Sequence, residues 1–245
     1  MGKERLQKVL SQAGIGSRRK CEQYILDGRV SVNGQIVTSL PVIIDTENDS
    51  IRFDGDKIKI TPENKVYLMM NKPKDVLCTT RDNHGRKTVL DLIPSGLVHE
   101  RVFPVGRLDK ESQGLLLLTN DGDLTKKMTH LRYGVEKVYL VEVNGHVDGT
   151  IVEPMLKGIW LSDGRARVSR VKIVRKGKKS ILEITLREGK NRQVYRMLAK
   201  LGFSVSKLVR IRLGSLELKG VGVGRTRKLT SAEISGLKAL ISGKL

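Results

Sequence analysis

Four leucines in succession, Leu115 to Leu118, follow Gly114 and precede the polar segment Thr119-Asn120-Asp121-Gly122. A short, continuous apolar run with such borders is the pattern of a strand buried on both faces; the pattern alone does not separate it from a short buried helix. Just ahead of it, in Gly106-Arg107-Leu108-Asp109-Lys110-Glu111-Ser112-Gln113, stands the acid Asp109 in a polar turn. A carboxylate pinned beside a rigid buried strand is well placed to serve as nucleophile or general base. An aspartate that only shapes a turn gives the same spacing.

Charge narrows the partners. The 245 residues carry 46 Lys plus Arg against 26 Asp plus Glu, a formal charge of +20. A protein this basic is drawn to polyanions, of which nucleic acid is the usual one; a basic surface serving solubility is the blander reading. The length suits one or two domains with a sizeable core. No apolar run approaches the ~20 residues that span a bilayer, and MGKERLQKVL lacks the apolar core of a signal peptide. Cys21 and Cys78 form no paired motif, which favours reduced thiols. A cytoplasmic protein is expected, with no membrane partner.

Along the chain, residues 4–27 predict two short helices. Leu6, Val9 and Leu10 repeat at helical spacing, and Gly14-Ile15-Gly16 interrupts them. Ser17 caps a second helix with the apolar stripe Cys21, Tyr24, Ile25 and Leu26, and Gly28 ends it. Residues 30–37 read as a hairpin turning at Asn33-Gly34, and residues 50–60 as another strand pair turning at Asp54-Gly55. Arg18, Arg19 and Lys20 crowd the first turn of the second helix, where positive charge opposes the macrodipole at ~0.3–1 kcal/mol per group. An anion docked at that end makes sense of them; a solvent-screened cluster is the alternative.

Thr61-Pro62-Glu63-Asn64 marks a linker, giving a small module at 1–60 and a larger domain at 65–245. In the larger part, 66–70, 101–105, 115–119, 138–143, 168–174, 181–186 and 208–213 read as strands. Helices are expected at 123–130, 150–157, 191–201 and 231–241. Their irregular order favours an α+β fold: a small N-terminal αα-β module, then a mixed, mainly antiparallel sheet flanked by helices. Basic residues concentrate in the last third, and the run from Arg175 to Lys179 around Gly177 reads as a solvated hairpin turn.

Four blocks, in order, carry a resemblance. Gly106-Arg107-Leu108-Asp109 with Ser112-Gln113-Gly114-Leu115 resembles the active-site motif of the RsuA/RluB family of rRNA pseudouridine synthases. Asn71-Lys72-Pro73-Lys74 resembles that family's first conserved stretch, Glu136-Lys137-Val138-Tyr139 the strand with its active-site tyrosine, and Glu188 to Arg196 the segment with its active-site arginine. Residues 3 to about 60 resemble the RNA-binding module first recognised in the ribosomal protein numbered four of the small subunit.

The resemblance implies isomerisation of a uridine in rRNA. That reaction transfers no electrons and no activated group, so no cofactor or metal is expected. His84, His99, His130 and His146 form no ligand pattern, and Gly220 to Gly224 is followed by Arg-Thr-Arg-Lys-Leu-Thr, which does not open a nucleotide-binding helix. By the same resemblance Asp109 is the nucleophile, Arg192 pairs with it, Tyr139 lies against the target base, and Arg107 enters the space the extruded base leaves. Lys72 and Lys74 are expected on the RNA backbone, a solvated loop being the equal alternative, and Cys78 as a small buried apolar residue. Asn191-Arg192 after Glu188-Gly189 resembles the branch acting on large-subunit rRNA. A small-subunit synthase and a non-catalytic ribosome-assembly factor are the alternatives; the joint presence of Asp109, Tyr139 and Arg192 argues against the second. A monomer is expected.

Overall fold

The computed structural model describes residues 2–59 and 64–243; the expected linker residues Thr61, Pro62 and Glu63 lie outside them. The chain divides between Asn64 and Lys65 into two compact units.

The first unit runs β1 (Lys3–Arg5), α1 (Leu6–Gln12), α2 (Arg18–Leu26), β2 (Val30–Val32), β3 (Gln35–Val37), β4 (Ile43–Asp45), β5 (Ile51–Phe53) and β6 (Asp56–Lys57). One antiparallel sheet has the order β3-β2-β5-β6, and β1 pairs with β4. Both expected hairpins turn where left-handed backbone is needed, at Asn33-Gly34 (φ 53° and 84°) and Asp54-Gly55 (φ 49° and 88°). Leu6, Leu10, Cys21, Ile25, Val30, Ile44 and Ile51 form the core. Leu26, expected in the stripe of α2, is instead 49% exposed; it lies ~100° around the helix from Ile25, off the buried side. Arg29 ties α2 to β5: it pairs with Asp54 and lies 4.5 Å from the Tyr24 ring centroid and 4.7 Å from that of Phe53.

The second unit runs β7 (Tyr67–Lys72), β8 (Phe103–Pro104), β9 (Gln113–Thr119), α3 (Gly122–Thr129), β10 (Lys137–Asn144), α4 (Val152–Lys157), β11 (Ile159–Leu161), β12 (Gly164–Ala166), β13 (Arg170–Arg175), β14 (Lys179–Leu186), α5 (Gln193–Lys200), β15 (Ser204–Leu213), β16 (Leu216–Glu217), β17 (Thr226–Lys228) and α6 (Ser231–Ile241). The main sheet has the order β13-β14-β10-β15-β9-β7-β17, with β16 on β15 and β8 on β9. Its pairs are antiparallel except β15–β9. The four leucines sit in β9 and alternate between two cores: Leu116 and Leu118 join Leu68 and Met70 on one face, Leu115 and Leu117 join Tyr67 and Met69 on the other. Each buried leucine contributes about 1.5–3 kcal/mol.

Two expected elements are shorter than the pattern suggested. The strand at 101–105 reduces to Phe103–Pro104, where Pro104 has no N–H to extend the ladder. The helix expected from residue 191 begins at Gln193, because Arg192 is left-handed at φ 45°. The register then sets the site: Tyr139 of β10 faces Arg210 of β15, and Arg210 faces Gly114 of β9. Gly114 is required there, since a Cβ would lie 2.3 Å from the Arg210 carbonyl oxygen. A register irregularity between Val138 and Tyr139 marks the same point of β10.

Candidate active site

Asp109 lies five residues ahead of Gly114, on the loop entering β9. Its backbone carbonyl accepts the Ser112 N–H at 3.0 Å, closing a turn, and the buried Leu108 anchors the loop from below. Asp109 is half-buried and Arg107 exposed. Together with Tyr139, Arg192 and Arg210 they line one cavity of about 450 Å³. Tyr139 is 8% exposed, set in the floor among the apolar residues of the sheet. The structure thus brings Arg107, Asp109, Tyr139 and Arg192 together.

Lys72 requires a correction: it does not face solvent and is in no position to hold RNA phosphate. It is fully buried, and its Nζ donates to the carbonyl oxygens of Pro73 (3.1 Å), Asp109 (3.1 Å), Lys110 (3.3 Å) and Ser112 (2.9 Å). Burial pushes its pKa down, while Cys78, Asp109 and Asp75 pull it back up. Lys74, in the turn beyond β7, is exposed. Cys78 is half-buried rather than buried; its Sγ lies 3.7 Å from the Gly106 carbonyl oxygen, and burial pushes its thiol pKa up.

Arg192 also departs from expectation, for its ion-pair partner is Glu111, not Asp109. The left-handed turn at residue 192 directs the guanidinium over the Tyr195 ring, 4.7 Å from its centroid, and toward the outer carboxylate of the loop. The segment is held by Gln193, whose Nε2 donates to Glu188 Oε1 (2.6 Å) and the Arg167 carbonyl (3.0 Å), while its Oε1 accepts the Lys190 N–H at 3.2 Å. Tyr195 lies 3.4 Å from Ser112 through their hydroxyls.

Comparison with known proteins gives the family. Residues 66–200 match RNA pseudouridylate synthase and residues 4–51 match the S4 domain. The chain is 45% identical to an uncharacterised RNA pseudouridine synthase of Aquifex aeolicus over 95% of its length and 93% of the relative's. It is 40% identical to ribosomal large subunit pseudouridine synthase B of Bacillus subtilis, covering 97% of this chain and 96% of that one. A crystal structure of a pseudouridylate synthase, 30% identical, superposes at a TM-score of 0.68 over 95% of this chain and 99% of the other. The chain belongs to the RNA pseudouridylate synthase family.

In this pseudouridylate synthase fold three further cations line the cavity, Lys137, Lys190 and Arg210, none of which the sequence singled out as a site residue. Arg210 is 2% exposed; its Nε donates to the Leu115 carbonyl at 2.7 Å, and its buried Nη2 has no hydrogen-bond partner among the described residues. Its signal was a charged residue within an otherwise aliphatic stretch of strand, Leu208-Val209-Arg210-Ile211. Lys137 also lines the cavity, and burial, aided by nearby Arg210, pushes its pKa down to about 8. Among the described residues no group of His, Cys, Asp or Glu is placed to hold a metal ion, and no helix is long and apolar enough to cross a membrane. Arg18, Arg19 and Lys20 are exposed at the start of α2, with Ser17 Oγ accepting the Lys20 N–H at 3.2 Å.

Proposed function

We propose that this chain converts a uridine of large-subunit rRNA to pseudouridine, with Asp109 as nucleophile. The observation that carries the reading is the placement of Asp109 on a loop clamped to a buried strand, in one cavity with Tyr139 and the cations Arg107, Arg192 and Arg210. The reaction breaks the bond from uracil N1 to the ribose and forms one from C5; the C5 proton leaves and N1 takes one up. Whether the carboxylate adds to the sugar or to the uracil ring, it must attack and then depart, which suits a carboxylate.

A base within folded RNA has to be extruded to reach this cavity. Arg107, exposed at its edge, is suited to stack in the vacated space through its planar guanidinium. Tyr139 offers its ring to the base. Arg210 keeps a buried donor for negative charge that develops on the uracil. Arg192 acts through Glu111 and so steadies the Asp109 loop. Arg18, Arg19, Lys20 and Lys74 are assigned to RNA phosphate. In this scheme residues 1–60 bind structured RNA, 61–64 link, and 65–245 catalyse, as a cytoplasmic monomer needing no cofactor.

The large-subunit target rests on the Bacillus subtilis relative's name and on Asn191-Arg192 after Glu188-Gly189. Mapping pseudouridine in both rRNAs of a strain lacking this gene tests it. Loss of modification at a large-subunit uridine is expected; loss confined to small-subunit rRNA overturns the assignment.

A further inference from the structure

The chain has a single tryptophan, Trp160, and it is 69% exposed. It lies in β11, directly opposite Arg165 of β12. With Ser162, Arg196, Ala199 and Lys200 it lines an open groove between this small hairpin and α5. In a chain with only 4% aromatics, the largest apolar side chain thus stands at the edge of a groove with its ring open to a ligand.

The hairpin is fixed to the segment that builds the active site. Arg196 holds Asp163, at the hairpin tip, through two hydrogen bonds of 2.8 and 3.0 Å. Lys190, which lines the catalytic cavity, donates from Nζ to the Asp163 carbonyl at 2.8 Å. Arg196 and Lys200 follow at four-residue spacing on one side of α5, and Arg192, in the cavity, stands just ahead of its first turn. The eight residues of α5 span about 12 Å at 1.5 Å per residue, roughly three to four stacked nucleotides at 3.4 Å each. Asp163 is spoken for by Arg196, which leaves the exposed charges of Lys200 and Arg165 beside the indole.

We propose that this groove is a second RNA subsite, in which a single-stranded base near the target uridine stacks on Trp160 and its phosphate meets Lys200. It deepens the reading above, for it assumes that the same cavity takes RNA. Stacking on an aromatic is indifferent to sequence, because every base has a π-face, so the subsite anchors the strand rather than choosing the target. A protein partner fits less well: the face is rimmed with cations, and the whole chain carries +20.

The single tryptophan makes the test direct, because emission excited at the red edge reports on Trp160 alone. The full chain is titrated with a 12-nucleotide oligouridine and with an RNA duplex of equal length, following emission and, separately, the anisotropy of labelled RNA. Saturable quenching by the single strand, with the midpoint seen by anisotropy, and little quenching by the duplex are expected. Trp160→Ala should weaken single-strand binding about 5- to 150-fold, the range one stacked base commands, and Trp160→Phe should recover most of it. Turnover at saturating large-subunit rRNA should be retained by both variants. Unchanged emission at saturating RNA, or wild-type affinity in Trp160→Ala, overturns the subsite and leaves the catalytic reading intact. Quenching only by ribosomal particles, and not by protein-free RNA, overturns it in favour of a protein partner. Wild-type protein that forms no pseudouridine overturns the catalytic reading instead.

Discussion

The ammonium of Lys72 sits beneath Asp109, donating to its backbone carbonyl at 3.1 Å and to the carbonyls of Lys110 and Ser112 at 3.3 and 2.9 Å. One buried cation thereby gathers the loop that carries the acid. Breaking this arrangement leaves several carbonyl oxygens without a donor, and the lost charged hydrogen bonds cost about 1.5–3 kcal/mol. Lys72→Met is therefore expected to lower the unfolding free energy by about that amount. A loop displaced by an ångström loses on the order of 100-fold in rate, so turnover should fall well beyond the folded fraction lost. Urea unfolding alongside single-turnover rates, at a temperature where the variant is folded, checks both; a destabilised variant with an unaltered rate contradicts the positioning role.

Arg192 and Glu111 form an exposed pair, and such a pair contributes only about 0–1 kcal/mol to stability. Its effect belongs in the rate. Glu111→Gln should slow single turnover several-fold with almost no change in melting. Arg192→Ala should slow it more, since stacking on Tyr195 is lost as well. A silent Glu111→Gln beside an inactive Arg192→Ala means that Arg192 serves the reaction without Glu111.

These particulars show what the sequence could and could not reveal. The leucine run, the Asn33-Gly34 and Asp54-Gly55 turns and the helix Ser231–Ile241 are local signals, and they are found where the pattern put them. The acid, the tyrosine and the two arginines of the expected site do share one cavity. Partnerships were not legible. The loop carbonyls that hold Lys72 come from 37 to 40 residues away and Glu111 is 81 residues from Arg192. Only the strand order β10-β15-β9 brings Arg210 between Tyr139 and Gly114. A lysine in a polar motif reads as exposed until the fold supplies carbonyls to bury it.

Lys137 gives the site a pH response. Its folded-state pKa, pushed down to about 8 by burial, means that the free protein loses this charge as pH rises through that value. RNA favours the ammonium form and raises its pKa, so affinity should be level below about pH 8 and decline above it. The same depression makes folding more favourable as pH rises from about 8 toward the unfolded value of ~10.4. Binding isotherms of wild type and Lys137→Gln between pH 6.5 and 9.5 test the first effect. A decline of equal size in the variant assigns it to another group.

Arg18, Arg19 and Lys20 are exposed at the first turn of α2. Replacing all three with Ala should weaken binding to large-subunit rRNA and flatten the log–log salt dependence by ~0.7–0.9 for each phosphate no longer neutralised. Folding should be unharmed or slightly improved, because the conflict with the macrodipole is relieved. An unchanged salt slope shows that the cluster holds no phosphate. A collapsed rate at saturating RNA with normal binding shows that the module places the target instead of tethering the RNA.

The central claim is that Asp109 performs the chemistry. It is tested most directly by tritium release from unmodified large-subunit rRNA labelled at uracil C5, with purified wild-type protein and Asp109→Asn compared at saturating RNA. The amide is nearly isosteric and not nucleophilic, so the variant should keep its fold and its RNA affinity. The wild type is expected to release one tritium for each uridine converted, and Asp109→Asn none above background. Substantial release by the variant contradicts the assignment.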